Sequence, residues 1–119
     1  MNEALVERFA KSLYESIVKE NLELYKDMYQ NIAIDSHTDE KGKGTINFYN
    51  DLTDEQRVML FEIIEQTMID TVSTVLGIID GHVTQADDSI EPKLLLNSMD
   101  TEGELQNLFL AYVEELDNQ

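Results

Sequence analysis

Leu5, Val6, Phe9, Leu13 and Ile17 recur at steps of three and four residues, which lines them up on one stripe of a helix. Tyr14, Val18, Leu22, Tyr25, Tyr29 and Ile32 continue the pattern with a shift, so the spacing predicts helix from Glu3 to about Ile34. The drift of the stripe between Ile17 and Leu22 predicts a bend near Asn21. Glu7–Lys11 and Glu15–Lys19 add i,i+4 pairs in the favourable order, each worth about 0.3 kcal/mol. Asp35 to Thr45 contains no apolar residue and is rich in turn formers; it predicts a mobile polar loop over 35–45. Ile46, Phe48, Tyr49 and Leu52 then predict a short helix.

Thr53-Asp54-Glu55-Gln56 carries the strongest local signal in the chain. A Thr hydroxyl can accept the free amide three residues on, and the Gln side chain can reach back, forming a capping box. The helix so opened runs over about 54–79 and stops at Asp80-Gly81, where glycine supplies the left-handed turn. Apolar residues from Val58 to Ile79 cover roughly two thirds of its circumference, which predicts a central, largely buried helix. Between His82 and Asp100 the run Lys93–Asn97 reads as a strand with Val83 and its neighbours as partner, a minor β-hairpin at 83–97. Thr101-Glu102-Gly103-Glu104 repeats the capping-box pattern and opens a last helix to about Leu116, with Leu105, Leu108, Phe109, Tyr112 and Val113 on its apolar face. The expected fold is mostly α, a single small helical domain over 1–119.

Length and charge sharpen this picture. The chain has 119 residues and a mass of 13.7 kDa. A folded monomer of that mass exposes roughly 6,600 Å², against roughly 20,000 Å² unfolded, enough burial for a core without staples. Twenty-five acidic residues face eight basic ones, for a formal charge of −17. Residues 1–50 hold nine acids and six bases, whereas residues 51–119 hold 16 acids against Arg57 and Lys93 alone. Such a charge repels nucleic-acid phosphates and anionic membranes, so neither is an expected partner. It favours a basic protein partner instead. Cysteine is absent, which removes disulfides, thiolate metal sites and thiol nucleophiles. The opening Met1-Asn2-Glu3-Ala4 lacks a secretory leader's basic and apolar regions, and no apolar run is long enough to span a bilayer. A cytoplasmic protein is expected.

Three constellations could carry chemistry. On the 54–79 helix, Glu55, Glu62, Gln66, Asp70, Ser73, Gly77 and Asp80 fall within about 80° of one another. With Asp87, Asp88 and Glu91 in the loop beyond, Glu62, Gln66, Asp70 and Asp80 form the candidate partner-binding strip; plain solvated surface is the competing reading. Glu65 lies inside the apolar arc, where a carboxylate must reach solvent, pair with a base or act as a functional acid. The pairs Glu62-x-x-Glu65 and Glu114-x-x-Asp117 resemble those with which all-helical nucleotide pyrophosphatases hold magnesium, and Glu62, Glu65 and Asp70 would serve such a hydrolase. The two pairs are further apart in sequence than that pattern allows. His82 beside Asp80 and the isolated His37 lack the further ligands a zinc site needs. No catalytic residue, metal or cofactor is assigned.

Leu52–Arg57, Asp70–Ser73, Gly77–Gly81 and Leu105–Phe109 resemble a family of small acidic bacterial proteins of unassigned function. The likeness covers about residues 48–116, and its motifs are structural, so it implies a fold rather than an activity. In size and charge the chain also resembles toxin-immunity proteins. The expected function is therefore non-enzymatic: a negative surface engaging a basic protein, as an immunity or inhibitor protein would. The alternatives are the metal-dependent hydrolase and a helical homodimer that buries spare apolar surface of the first or last helix.

Overall fold

The opening amphipathic stretch folds as one helical run in the computed structural model, which describes residues 2–119. It comprises α1 (Asn2–Leu13), a π-helical segment (Tyr14–Lys19) and α2 (Glu20–Asn31). Val6, Ala10, Val18 and Leu22 are buried, with half-buried Tyr14 between them, at a constant spacing of four. In an α-helix each four-residue step overshoots a full turn by about 40° and would soon carry the stripe off the core. The π segment, whose i→i+5 bonds put more residues into a turn, resets that drift; the Glu20 N–H donates to Glu15 O accordingly. The run therefore continues as helix through Asn21.

The polar segment at 35–45 is a loop only to Asp39. There the Asp39 carboxylate accepts the Gly42 N–H at 2.7 Å, and α3 runs from Glu40 to Asn50. A cap and the buried Ile46 and Tyr49 outweigh the weak helix propensity of Gly42 and Gly44. Ahead of the cap, Asp35 Oδ1 accepts the His37 N–H at 2.8 Å and Thr38 Oγ1 accepts the Asp35 N–H at 3.0 Å.

The long helix α4 spans Asp54–Asp80, 27 residues, or about 40 Å. Its predicted capping box is formed: the Gln56 N–H donates to Thr53 Oγ1 at 3.1 Å and the Thr53 N–H to Gln56 Oε1 at 2.9 Å. Gly81 closes it at φ +82°. The N–H groups of His82 and Val83 both donate to Gly77 O, so Val83 belongs to the turn that closes the helix and pairs with no strand. The expected hairpin at 83–97 is replaced by a tighter one, β1 (Leu95–Leu96) against β2 (Met99–Asp100), antiparallel. Asn97 and Ser98, at φ +50° and +70°, make the two-residue turn whose left-handed backbone matches strand twist. Helix α5 follows at Leu105–Asp117.

Two hydrophobic clusters share α4 as a common rod. The larger joins α1, the π segment, the second half of α4 and α5 through Val6, Ala10, Val18, Ile69, Leu76, Leu105 and Phe109. The smaller joins α2, α3 and the start of α4 through Leu22, Tyr49 and Phe61; Met68 touches both. Helix α4 is central but not largely buried. Val58, Met59, Ile63 and Val75 are 61%, 55%, 58% and 51% exposed, because its neighbours cover it only in sectors. No described helix is long and apolar enough to cross a membrane.

Candidate functional site

The polar stripe predicted on α4 is one line on the wheel but two environments in the fold. Glu62, Gln66 and Asp70 are exposed, with Gln66 Nε2 donating to Asp70 Oδ1 at 2.8 Å. Lower down, Ser73, Gly77 and Asp80 lie beneath the start of α5. Gln106 Nε2 donates to Ser73 O at 3.0 Å and lies 3.2 Å from Ser73 Oγ, while the Gln106 N–H donates to Asp80 Oδ2 at 2.7 Å. Gly77 leaves room for this: a Cβ there would come within 2.6 Å of Val83 Cγ2 and 2.7 Å of Gln106 Nε2.

Asp80 is therefore no member of an exposed contact strip. It caps α5 from another helix, satisfying an amide that the first turn leaves free. The capping box expected at Thr101–Glu104 is absent: Glu104 precedes α5 without a side-chain cap, and the buried Thr101 hydroxyl donates to Leu94 O at 3.2 Å. The Nε2–H of His82 donates to Gly103 O at 2.8 Å, tying the end of α4 to the same turn.

In the following loop Asp87, Asp88 and Glu91 are exposed. The Ser89 hydroxyl, at 2.6 Å, and then the Ser89 N–H, at 3.1 Å, hold the Asp87 carboxyl below its ordinary pKa, so its charge persists further into acid than that of a free aspartate. Among the described residues no base lies within ion-pair distance of Glu62, Asp70, Asp87, Asp88 or Glu91. The two bases of this half of the chain are engaged elsewhere. Lys93 pairs with Asp100 at 3.1 Å. The Arg57 guanidinium lies 4.4 Å over the Tyr49 ring and donates to Tyr49 O and Asn50 O.

A cleft of about 460 Å³ beside the strip went unforeseen; Lys26, Tyr49, Arg57, Phe61, Glu62 and Glu65 line it. Glu65 sits half-buried at its wall, the rim position open to a carboxylate in an apolar arc. The only advance signal was the tight Asp51–Thr53 turn, which brings Tyr49 and Arg57 together across α3 and α4.

Glu65 and Asp117 also bear on one tyrosine. Burial, then the charges of Glu65, Glu15 and Asp117, raise the Tyr14 phenol. These acids supply no metal cage: among the described residues no three of His, Asp, Glu or Cys are grouped to hold an ion. The neighbouring Tyr112 hydroxyl donates to Glu15 Oε1 at 2.6 Å, a bond that lowers the Glu15 pKa and helps push Tyr112 up to about 12.

The chain matches no protein-family model, no curated protein and no solved structure, so the likeness to a family of small acidic bacterial proteins rests on the quoted residues alone.

Proposed function

We propose that this chain is a small non-enzymatic binding protein whose acidic face engages a basic protein, in the manner of an immunity or inhibitor protein. The face comprises Glu62, Gln66 and Asp70 on α4 and Asp87, Asp88 and Glu91 in the loop after it; Asp80 is left out because it caps α5. The observation that carries the reading is that these carboxylates are exposed without a base of their own, while Arg57 and Lys93 are committed elsewhere. Neutralisation must come from outside. A partner with clustered Lys and Arg, such as a protein that holds nucleic-acid phosphates, supplies it, and complementary charge speeds encounter.

The test has two stages. Tagged protein is used to capture partners at low and high salt, and the recovered protein is purified for binding kinetics. Glu62→Gln, Asp70→Asn and Asp88→Asn together should slow association at least about tenfold at low salt and flatten its salt dependence, with melting unchanged because exposed like charges contribute little to stability. An unchanged association rate in the triple variant would reduce the strip to solvated surface.

A further inference from the structure

Beside the acidic strip, α4 carries a seam that is largely apolar. Leu60, Ile63, Ile64, Thr67, Thr71 and Val75 fall within about 120° of one another. The threonines belong to this seam because their hydroxyls are used inside the helix. Thr67 Oγ1 donates to Ile63 O at 2.8 Å and Thr71 Oγ1 to Thr67 O at 2.7 Å, leaving these hydroxyls less available to solvent. At its upper end the seam meets a groove of about 350 Å³ between α3 and α4, rimmed by Phe48, which is 51% exposed. No Asp, Glu, Lys or Arg lines the groove, and Asp70 borders the seam beside Thr67, Thr71 and Val75.

The molecule also exposes more surface than its mass requires. Its accessible area is 8378 Å², about 1,800 Å² above the roughly 6,600 Å² of a folded monomer of this mass. Its radius of gyration is 18.1 Å, against about 13.5 Å for a compact chain of this length. A stable interface needs about 800 Å² from each partner, and permanent homodimers take more. The excess is ample for one.

We infer that the α4 seam is a homodimer interface, covered by the same seam of a second copy about a two-fold axis. A basic partner has little to recognise there, because Asp70 stands at the seam's edge and not along it. Its complement is a surface equally long, apolar and uncharged, and this chain carries one. A two-fold contact is self-complementary by construction, so the exposed Ile63 and Phe48 of each copy can meet the groove of the other. Glu62 and Gln66 stay at the flank and remain open in the dimer, while Asp70 lies at the edge of the contact.

Charge makes the proposal separable from binding of a basic protein. Two copies at −17 each repel, so dimerisation should tighten as salt rises from about 0.1 M to about 1 M, whereas a basic partner should bind more weakly. Sedimentation of the full chain should give twice 13.7 kDa, with the dimer fraction growing with salt. Ile63→Glu and Val75→Glu, at positions 58% and 51% exposed, should each weaken the dimer about 100-fold or more by placing a charge in an apolar contact. Both should keep their helical circular dichroism. Ile90→Glu, 56% exposed in the loop after α4, should leave the dimer unchanged. A monomer at every concentration and salt would overturn the proposal, as would a dimer that survives both seam variants. Loss of basic-partner binding would leave it untouched.

Discussion

The two clusters on α4 are built from similar residue types and differ in closure. Around α1 and α5, Ala10, Val18, Leu105 and Phe109 have no measurable exposure, and a ring of half-buried side chains surrounds them. In the cluster around α2 and α3 the buried members are Leu22, Tyr49 and Phe61, each retaining 5–7% exposure, with Ile46 of α3 buried beside them. The first cluster is packed from three sides by helices that also exchange polar bonds, Gln106 with Ser73 and Asp80, and Tyr112 with Glu15. The second is flanked by the cleft and the groove, and Phe61 lines both. Composition alone does not close a core. The number of neighbours a helix can find does, and the upper half of α4 runs short of them.

The largest expected effect is Phe109→Ala, which should cost about 3–5 kcal/mol in denaturant unfolding, since its surroundings cannot relax into the void. Phe61→Ala should cost less, about 2 kcal/mol, because open space already borders the ring. Native-state hydrogen exchange sharpens the contrast, with amides of α3 and the first turns of α4 expected to open at lower free energy than those of α5. If Phe61→Ala proved as costly as Phe109→Ala, the two clusters would be one.

Gly77→Ala probes the seat of α5. Its helix propensity gain of about 1 kcal/mol is opposed by overpacking against Val83 and Gln106, for an expected net loss of about 1 kcal/mol. Asp80→Ala should lose about 1 kcal/mol by removing the cap, and a double variant with Gln106→Ala should show non-additive losses. Least of all is the alkaline effect. Tyr112 is pushed up to about 12 in the folded chain from an ordinary 10. The folded state therefore binds the extra proton between those values, and the bond's contribution is complete below about pH 10 and lost as pH rises through about 12. Ultraviolet titration of the phenolates should show a late component that is lost in Tyr112→Phe, with Tyr14 also titrating above its ordinary value. Glu15 works at the other extreme: its lowered pKa gives a contribution present above the ordinary carboxylate range and lost in acid.

What the sequence disclosed was local chemistry. Thr53 and Gln56 marked the start of α4, and Gly81 its end, because both signals act within four residues. The start of α3 was concealed by Gly42, Gly44 and a run of charge, although Asp39 alone was a sufficient cap. Thr101–Glu104 carried the right pattern for a capping box and lost to Asp80, which is 26 positions from the amide it serves. Such competition cannot be read from spacing. The exposure of Glu62, Gln66 and Asp70 was legible as the polar side of a helix. The fate of Asp80 was signalled only by the small residues Ser73 and Gly77 on the same line, which a close-packed helix requires. The overstated burial of α4 has a plain cause, since a helical wheel counts apolar side chains but not the partners available to cover them.

The π segment gives the chain a property that no single substitution reveals. Each α-helical residue sweeps about 100°, so the residue count between Ala10 and Leu22 fixes how one cluster is phased against the other. Substitutions at the exposed Ser16 or Lys19 leave that phase intact. Deletion of one residue from Tyr14–Lys19 would let the run settle into plain α-helix with Leu22 still facing its cluster, whereas insertion of one would swing Leu22 and Tyr29 about a quarter turn out of it, while Val6 and Ala10 stayed in place. The segment absorbs one residue beyond the α-helical count and so keeps the two halves of the chain in step.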